Sequence, residues 1–292
     1  MKKALLIAVA LPALFLAGCG TTSNGASSTS PTTAPTNNTN STTGATTNTN
    51  SSMNHQYIYL TVRPGGKLGP DGKDHDAFSP ANFTLVEGVP TTVTIYNYDN
   101  MKHSITNSAL GINFQAKPSS KNGQPGVKSF TFTPNKAGSF TWNCVDPCDT
   151  PNNGWSMSHK GYMMGTIKVV PDTQPTQDIA LTVMPGGKLG SDGKLHDAFS
   201  PANFTVEKGI PVKLTIYNYD NMKHSITNSA LGINFQAKPS TKKDQPGVKT
   251  FTFTPKKDGS FTWNCVDPCD TPNGGWSMSH SGYMMGTIKV VG

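Results

Sequence analysis

The chain of 292 residues contains one module written twice: residues 57–170 align without gaps onto 178–291 at a constant offset of 121, with 94 of 114 positions identical. Solenoid repeats run to about 20–50 residues, so a unit this long is a globular domain in its own right, large enough to bury its own core. The chain is therefore read as two tandem domains, 57–170 and 178–292, joined by a linker at 171–177. Identity this high points to a recent duplication, so a residue's presence in both copies says little about its importance.

The pattern inside a copy is that of strands. Residues 90–98 read PTTVTIYNY, with Val93 and Ile95 on one face and Thr92, Thr94 and Tyr96 on the other; 127–133 read VKSFTFT, 139–142 SFTW and 165–170 GTIKVV. Period-two runs of Val, Ile, Thr and aromatics between Gly, Pro and Asn clusters argue for an antiparallel β-sandwich. With 29 Gly, 22 Pro and only 14% charged residues, a long-helix architecture is excluded. The fold class expected is all-β, two sandwiches in tandem.

Ahead of the repeats, Met1-Lys2-Lys3 is a basic start, residues 4–15 are apolar, and Leu16-Ala17-Gly18-Cys19 follows. That is a secretory signal over 1–18, too short for a comfortable membrane span. Its ending resembles the lipobox of bacterial lipoproteins, and the resemblance implies Cys19 as the lipid-modified first residue. An ordinary cleaved signal with a chance Cys is the other reading. Residues 20–54 hold 26 Ser, Thr or Asn out of 35 and no charge, so 19–56 is expected to be a disordered tether, reaching roughly 30 Å as a flexible coil. The location expected is the outer face of a bacterial membrane, where disulfides can form. Net charge is +7, or +5 without Lys2 and Lys3, and Arg63 is the only arginine, which leaves little to bind nucleic acid.

The reactive side chains of the first copy fall in two places. One is the segment Asn97-Tyr98-Asp99-Asn100-Met101-Lys102-His103-Ser104; the other is Cys144-Val145-Asp146-Pro147-Cys148, followed by His159 and Met163-Met164. The second copy supplies His224, Cys265, Cys269, His280 and Met284-Met285. Thiolate, thioether and imidazole together suit copper and disfavour magnesium, calcium and manganese; zinc is the weaker reading because Met serves it poorly.

These residues resemble the cupredoxin, or blue-copper, family and the CuA domain of cytochrome oxidase subunit II. Asn97 with His103-Ser104 is similar to the family's upstream histidine segment. Phe140-Thr141-Trp142-Asn143-Cys144 is similar to the strand delivering the copper cysteine, and His159-x-x-x-Met163-x-Gly165-Thr166-Ile167 to an azurin-type ending. The resemblance implies a Greek-key sandwich with copper held by His103, Cys144, His159 and Met163 in one copy and by His224, Cys265, His280 and Met284 in the other. Two features depart from it. Fourteen residues separate Cys144 from His159, and Cys148, with its twin Cys269, is an extra thiol of the kind that bridges two coppers in CuA. A mononuclear type 1 site and a binuclear CuA-like site therefore both stay open, one centre per domain.

Structural alternatives stand beside each site residue. Cys144–Cys148 and Cys265–Cys269 would make disulfides, Met157, Met163 and Met164 would fill core gaps, Met164 would replace Met163 as axial ligand, and His75-Asp76 and His196-Asp197 would lie in solvated turns. The chain has 7 histidines and no His-x-His pair, so a trinuclear oxidase cluster is not expected. The expected function is that of a membrane-anchored electron carrier, not an enzyme, serving a redox partner such as a cytochrome or terminal oxidase. Copper storage or delivery to an oxidase, and a disulfide-stapled surface interaction module, are the alternatives.

Overall fold

The computed structural model describes residues 52–173 and 175–292; the signal-like segment, Cys19 and nearly all of the tether lie outside the described residues. The first copy contributes nine strands: β1 (Gln56–Leu68), β2 (Asp74–Ser79), β3 (Phe83–Val86), β4 (Thr91–Asn97), β5 (Ser104–Asn107), β6 (Ile112–Gln115), β7 (Gly126–Phe132), β8 (Gly138–Asn143) and β9 (Met164–Val170). They form a four-stranded sheet, β2-β1-β4-β7, facing a five-stranded sheet, β3-β9-β8-β5-β6. The chain changes sheet between β2 and β3, β3 and β4, β4 and β5, β6 and β7, and β7 and β8, which is Greek-key connectivity. The second copy repeats this with β10 (Gln177–Leu189), β11 (Leu195–Ser200), β12 (Phe204–Glu207), β13 (Val212–Asn218), β14 (Ser225–Asn228), β15 (Ile233–Gln236), β16 (Gly247–Phe253), β17 (Gly259–Asn264) and β18 (Met285–Val291). The fold is two cupredoxin-like β-sandwiches. Among the described residues no helix is long and apolar enough to cross a membrane.

Alternation explains the core. Ile58, Leu60 and Val62 of β1 and Val93 and Ile95 of β4 face Leu85, Ile105, Trp142 and Ile167 of the opposite sheet. Trp142 is fully buried, and its indole N–H donates to the Ala81 carbonyl at 2.8 Å, so the largest core residue leaves no polar atom unpaired. Burying a side chain of this kind contributes about 1.5–3 kcal/mol or more. Strands β4, β7, β8 and β9 lie where the period-two runs are. The long β1 is not marked that way, because Pro64-Gly65-Gly66 reads as a turn while the structure carries the strand through it as an irregularity in register between Arg63 and Lys67.

The two copies meet through β1 and β10 in a pseudo-twofold arrangement, in which several contacts recur with the copies exchanged. Leu68 N–H donates to the Asp244 carbonyl and Leu189 N–H to the Gly123 carbonyl, both at 2.9 Å. Thr61 Oγ1 lies 3.0 Å from Ser200 Oγ, and Thr182 Oγ1 lies 3.0 Å from Ser79 Oγ. Some of the differences between the copies fall here: the Arg63 guanidinium covers the Tyr219 ring at 3.6 Å and lies 3.7 Å from Asp244, whereas Met184 and Gly123 hold the corresponding places on the other side of the axis.

The reading of His75 and His196 as members of solvated turns is corrected. Each sits inside a strand, β2 or β11, and is fully buried. Gly and Asp mark the preceding turn, but the histidine itself points inward, onto the ligand loop of its own copy.

Candidate metal centre

Two connections of the sandwich converge at one end. Asn97, the last residue of β4, is fully buried and shapes the first: its side-chain oxygen accepts the Asp99 N–H at 2.9 Å, and its amide donates to the Met101 carbonyl at 2.9 Å. The tight turn that results sets His103 just before β5. Cys144 follows β8 directly, and its N–H donates to the Met163 carbonyl at 2.9 Å, extending the β8–β9 ladder. The ligand loop then bends so that Cys148 returns to the same place.

His103, Cys144 and Cys148 are all buried, and their donor atoms lie within 4.8 Å of one another; His224, Cys265 and Cys269 form the same group in the second copy. His103 Nδ1 is 3.1 Å from Cys148 Sγ, while its Nε2 is held by Asp99 Oδ2 at 2.7 Å. In the second copy the corresponding distances are 3.1 and 2.8 Å, and Cys265 Sγ lies 2.7 Å from Cys269 Sγ. The Asp146 carbonyl faces both sulfurs, 3.6 Å from Cys144 and 3.0 Å from Cys148, and Ser104 N–H points at Cys144 Sγ from 3.4 Å. Among the described residues Cys144, Cys148, Cys265 and Cys269 are all free thiols, so the disulfide-stapled arrangement is not the one described.

The electrostatics favour a thiolate. The bond from Cys148, with further bonds from His103 and Ser104 N–H, draws the Cys144 thiol down to about 5 against the effect of burial, while that same pairing pushes Cys148 up. Burial alone would depress His103, but Asp99 and the Cys144 sulfur raise it to about 9. A carboxylate on the far ring nitrogen is the usual way of fixing which nitrogen a metal sees, here Nδ1. Two soft sulfurs and an imidazole, dry and preset, are a donor set that fits copper.

Met163 and Met284 are fully buried and adjoin Cys144 and Cys265 through the backbone bonds from the cysteine N–H groups, 2.9 and 2.8 Å long. Met164, the other candidate axial sulfur, is half-buried at the start of β9. The structure does not bring His159 to the sulfurs. Its ring stacks on Trp155 at 3.5 Å and 8°, with Nδ1 2.7 Å from the Trp155 carbonyl; His280 does the same on Trp276. The long spacer accounts for this placement, because it folds into two short 3₁₀ turns, Thr150–Asn152 and Trp155–Ser158, that carry His159 on their own frame.

That frame is pinned by residues for which the sequence suggested no role in the site. Asp149, in the left-handed region at φ 55, accepts the Ser156 N–H at 3.0 Å and the Asn152 amide at 2.8 Å, and lies 2.7 Å from His75 Nδ1. Asp71 takes the other ring nitrogen of His75 at 3.0 Å, and Trp155 stacks on the ring at 4.0 Å. Asp76 receives the Asp149 N–H at 2.7 Å and the Gly65 N–H at 2.8 Å. The spacings of Asp99 to His103 and of Asp71 to His75, four residues each, are the local signals for a supporting carboxylate; the Asp149–His75 contact spans 74 residues and has none.

No family model and no curated protein matches the chain. Solved structures do: a blue copper oxidase from Nitrosomonas europaea at 14% identity, covering 81% of this chain and 86% of that one with a TM-score of 0.29; a copper nitrite reductase from the same organism at 12%, 81%, 94% and 0.29; and a multicopper oxidase from Pseudomonas thermotolerans at 11%, 81%, 64% and 0.29. These neighbours are cupredoxin-fold copper proteins, and each half of this chain carries a His/Cys/Cys group resembling blue-copper or CuA ligands that could bind copper. The expectation that the chain is no enzyme is withdrawn: the neighbours are oxidases and nitrite reductases, so the comparison gives that expectation no support. At such identity and overlap the likeness assigns no reaction to this chain, and the sandwich fold rests on its own sheet topology.

Proposed function

We propose that the chain carries electrons one at a time through a copper centre in each domain. The observation that bears most weight is the convergence of His103, Cys144 and Cys148 within 4.8 Å in a buried site, repeated by His224, Cys265 and Cys269. Copper held there would alternate between its two oxidation states, both of which accept sulfur and imidazole donors. The protein's part is to hold Cys144 as a thiolate, to orient His103 through Asp99, and to keep water away. The Asp146 carbonyl, 3.6 and 3.0 Å from the two sulfurs, is a further donor beside them, as the Asp267 carbonyl is in the second copy, and Met163 and Met284 are the thioethers we assign to the axial positions.

A redox partner would dock beside the centre, where Met101 and Val145 are 37% and 66% exposed within three residues of His103 and Cys144. Met222 and Val266 repeat that apolar rim at 42% and 66%. We place the chain on the outer face of a bacterial membrane, anchored through Cys19; the basic-apolar-Leu-Ala-Gly-Cys start supports this reading.

The test is the visible and paramagnetic spectrum of the copper-loaded chain. An intense thiolate-to-copper band in both domains is the expected result, and a signal from one unpaired electron shared by two coppers would identify the binuclear form. A colourless Cu(I) adduct that never oxidises would replace electron transfer by copper delivery. Failure to bind copper with the thiols reduced would refute both.

A further inference from the structure

The pseudo-twofold axis relates two grooves between the domains, and only one of them is plugged. On one side Tyr59 of β1 is 8% exposed in an apolar cluster with Phe204 and Val206 of the second copy, and its phenol oxygen accepts the Thr205 N–H at 2.9 Å. Tyr57 and Tyr96 pack against the same cluster. At the offset of 121, the residues that should plug the other groove are Asp178, Ala180 and Tyr217, facing Thr84 in place of Thr205. The side chain that would reach across is an alanine methyl.

A cavity of about 260 Å³ remains there, its lining including Pro80, Thr84, Ala180 and Tyr217 and the charged Lys168, Asp178 and Lys213. Thr84 belongs to the edge strand β3, and its carbonyl accepts the Gln56 amide at 3.0 Å, turned away from β9. The N–H of a strand residue points the same way as its carbonyl, so the Thr84 N–H also faces off the sheet edge. Its twin, the Thr205 N–H, meets the Tyr59 oxygen; among the described residues no side chain takes that place at Thr84. The cavity thus keeps the backbone donor that holds a phenol in the twin groove, and Tyr217, the twin of Tyr96, beside it; Lys168, Asp178 and Lys213 make the rest of its lining more polar than the twin's. A dry cavity of about 150 Å³ already admits benzene, so one substituted ring fits the space.

We propose that this interdomain cavity is a binding site for a small phenolic molecule, its ring against Pro80, Ala180 and Tyr217 and its oxygen accepting the Thr84 N–H. The probe is p-cresol, the tyrosine side chain as a free molecule, titrated into the full chain and followed by amide chemical shifts. Saturable shifts at Thr84 and Ala180 are expected, with toluene binding about tenfold more weakly for want of the oxygen. Ala180→Tyr restores the twin arrangement and should reduce p-cresol affinity at least about tenfold while keeping or raising the melting temperature. If that variant fails to fold, Ala180→Leu serves as a smaller plug with the same expected direction. Absence of saturable shifts, equal binding of toluene and p-cresol, or undiminished binding to a folded, plugged variant would each overturn the proposal. Tighter binding of N-acetyltyrosinamide than of p-cresol would overturn it in favour of a tyrosine presented by a partner chain.

Discussion

Replacing His75 by Phe tests the claim that the ligand loop is held from β2. The imidazole is fully buried, lies 2.7 Å from Asp149 and 3.0 Å from Asp71, and stacks on Trp155 at 4.0 Å. Phe keeps the ring and its stacking but removes both polar bonds. Hydrogen bonds to charged groups contribute about 1.5–3 kcal/mol each, and stranding one partner of a buried ion pair costs about 3–5 kcal/mol. Because Asp149 keeps its bonds from Ser156 N–H and Asn152, we expect a loss of about 3 kcal/mol in the first domain, a fall of roughly 10 °C in its melting temperature.

The loss should depend on pH in a direction fixed by the two partners. Burial would lower the His75 pKa, but the bonds to Asp71 and Asp149 outweigh it and raise it. Its contribution is therefore complete below about pH 6.5 and fades as pH rises through the higher folded value. Burial would raise Asp149, yet Asn152, His75 and the Ser156 N–H bring it down, so its contribution is complete above about pH 4 and fades as pH falls. The gap between wild type and His75→Phe, measured by calorimetry of the full chain, should be widest between roughly pH 4 and 6.5 and narrow on the alkaline side. A gap below about 1 kcal/mol, or one that widens above pH 8, would show that the histidine is not the clamp.

Asp99→Asn removes the carboxylate that fixes His103 through Nε2, and copper affinity of the first domain, measured by competition with a chelator, should fall about 10–100-fold. Cys144→Ser should abolish the thiolate-to-copper band of the first domain and leave that of Cys265 in place; Cys148→Ser leaving the spectrum unchanged would rule out the binuclear form. Arg63→Met installs the residue that the second copy has at 184, and removing the guanidinium from the Tyr219 ring and from Asp244 should weaken the chain by about 1–2 kcal/mol in urea unfolding. An unchanged midpoint would mean that the domain contact does not rest on Arg63.

Alternation and repetition are local properties of a chain, which is why the duplication, the β class, the strands of the 90–98, 127–133, 139–142 and 165–170 runs and the soft character of the His, Cys and Met donors could all be read from residue order alone. Which donors meet is a question of long-range closure. His103 and Cys148 touch across 45 residues, and His75 grips Asp149 across 74, because Greek-key crossovers bring the β4–β5 and β8–β9 connections and the edge of β2 to one end. His159 matched a family spacing in one dimension, yet the fourteen residues before it fold on their own hydrogen bonds and seat it on Trp155. The unfilled groove at Ala180 is likewise invisible in either copy taken singly. It exists only because two nearly identical surfaces face each other across an axis, so that two substitutions, Tyr59 against Ala180 and Tyr57 against Asp178, leave a space on one side alone.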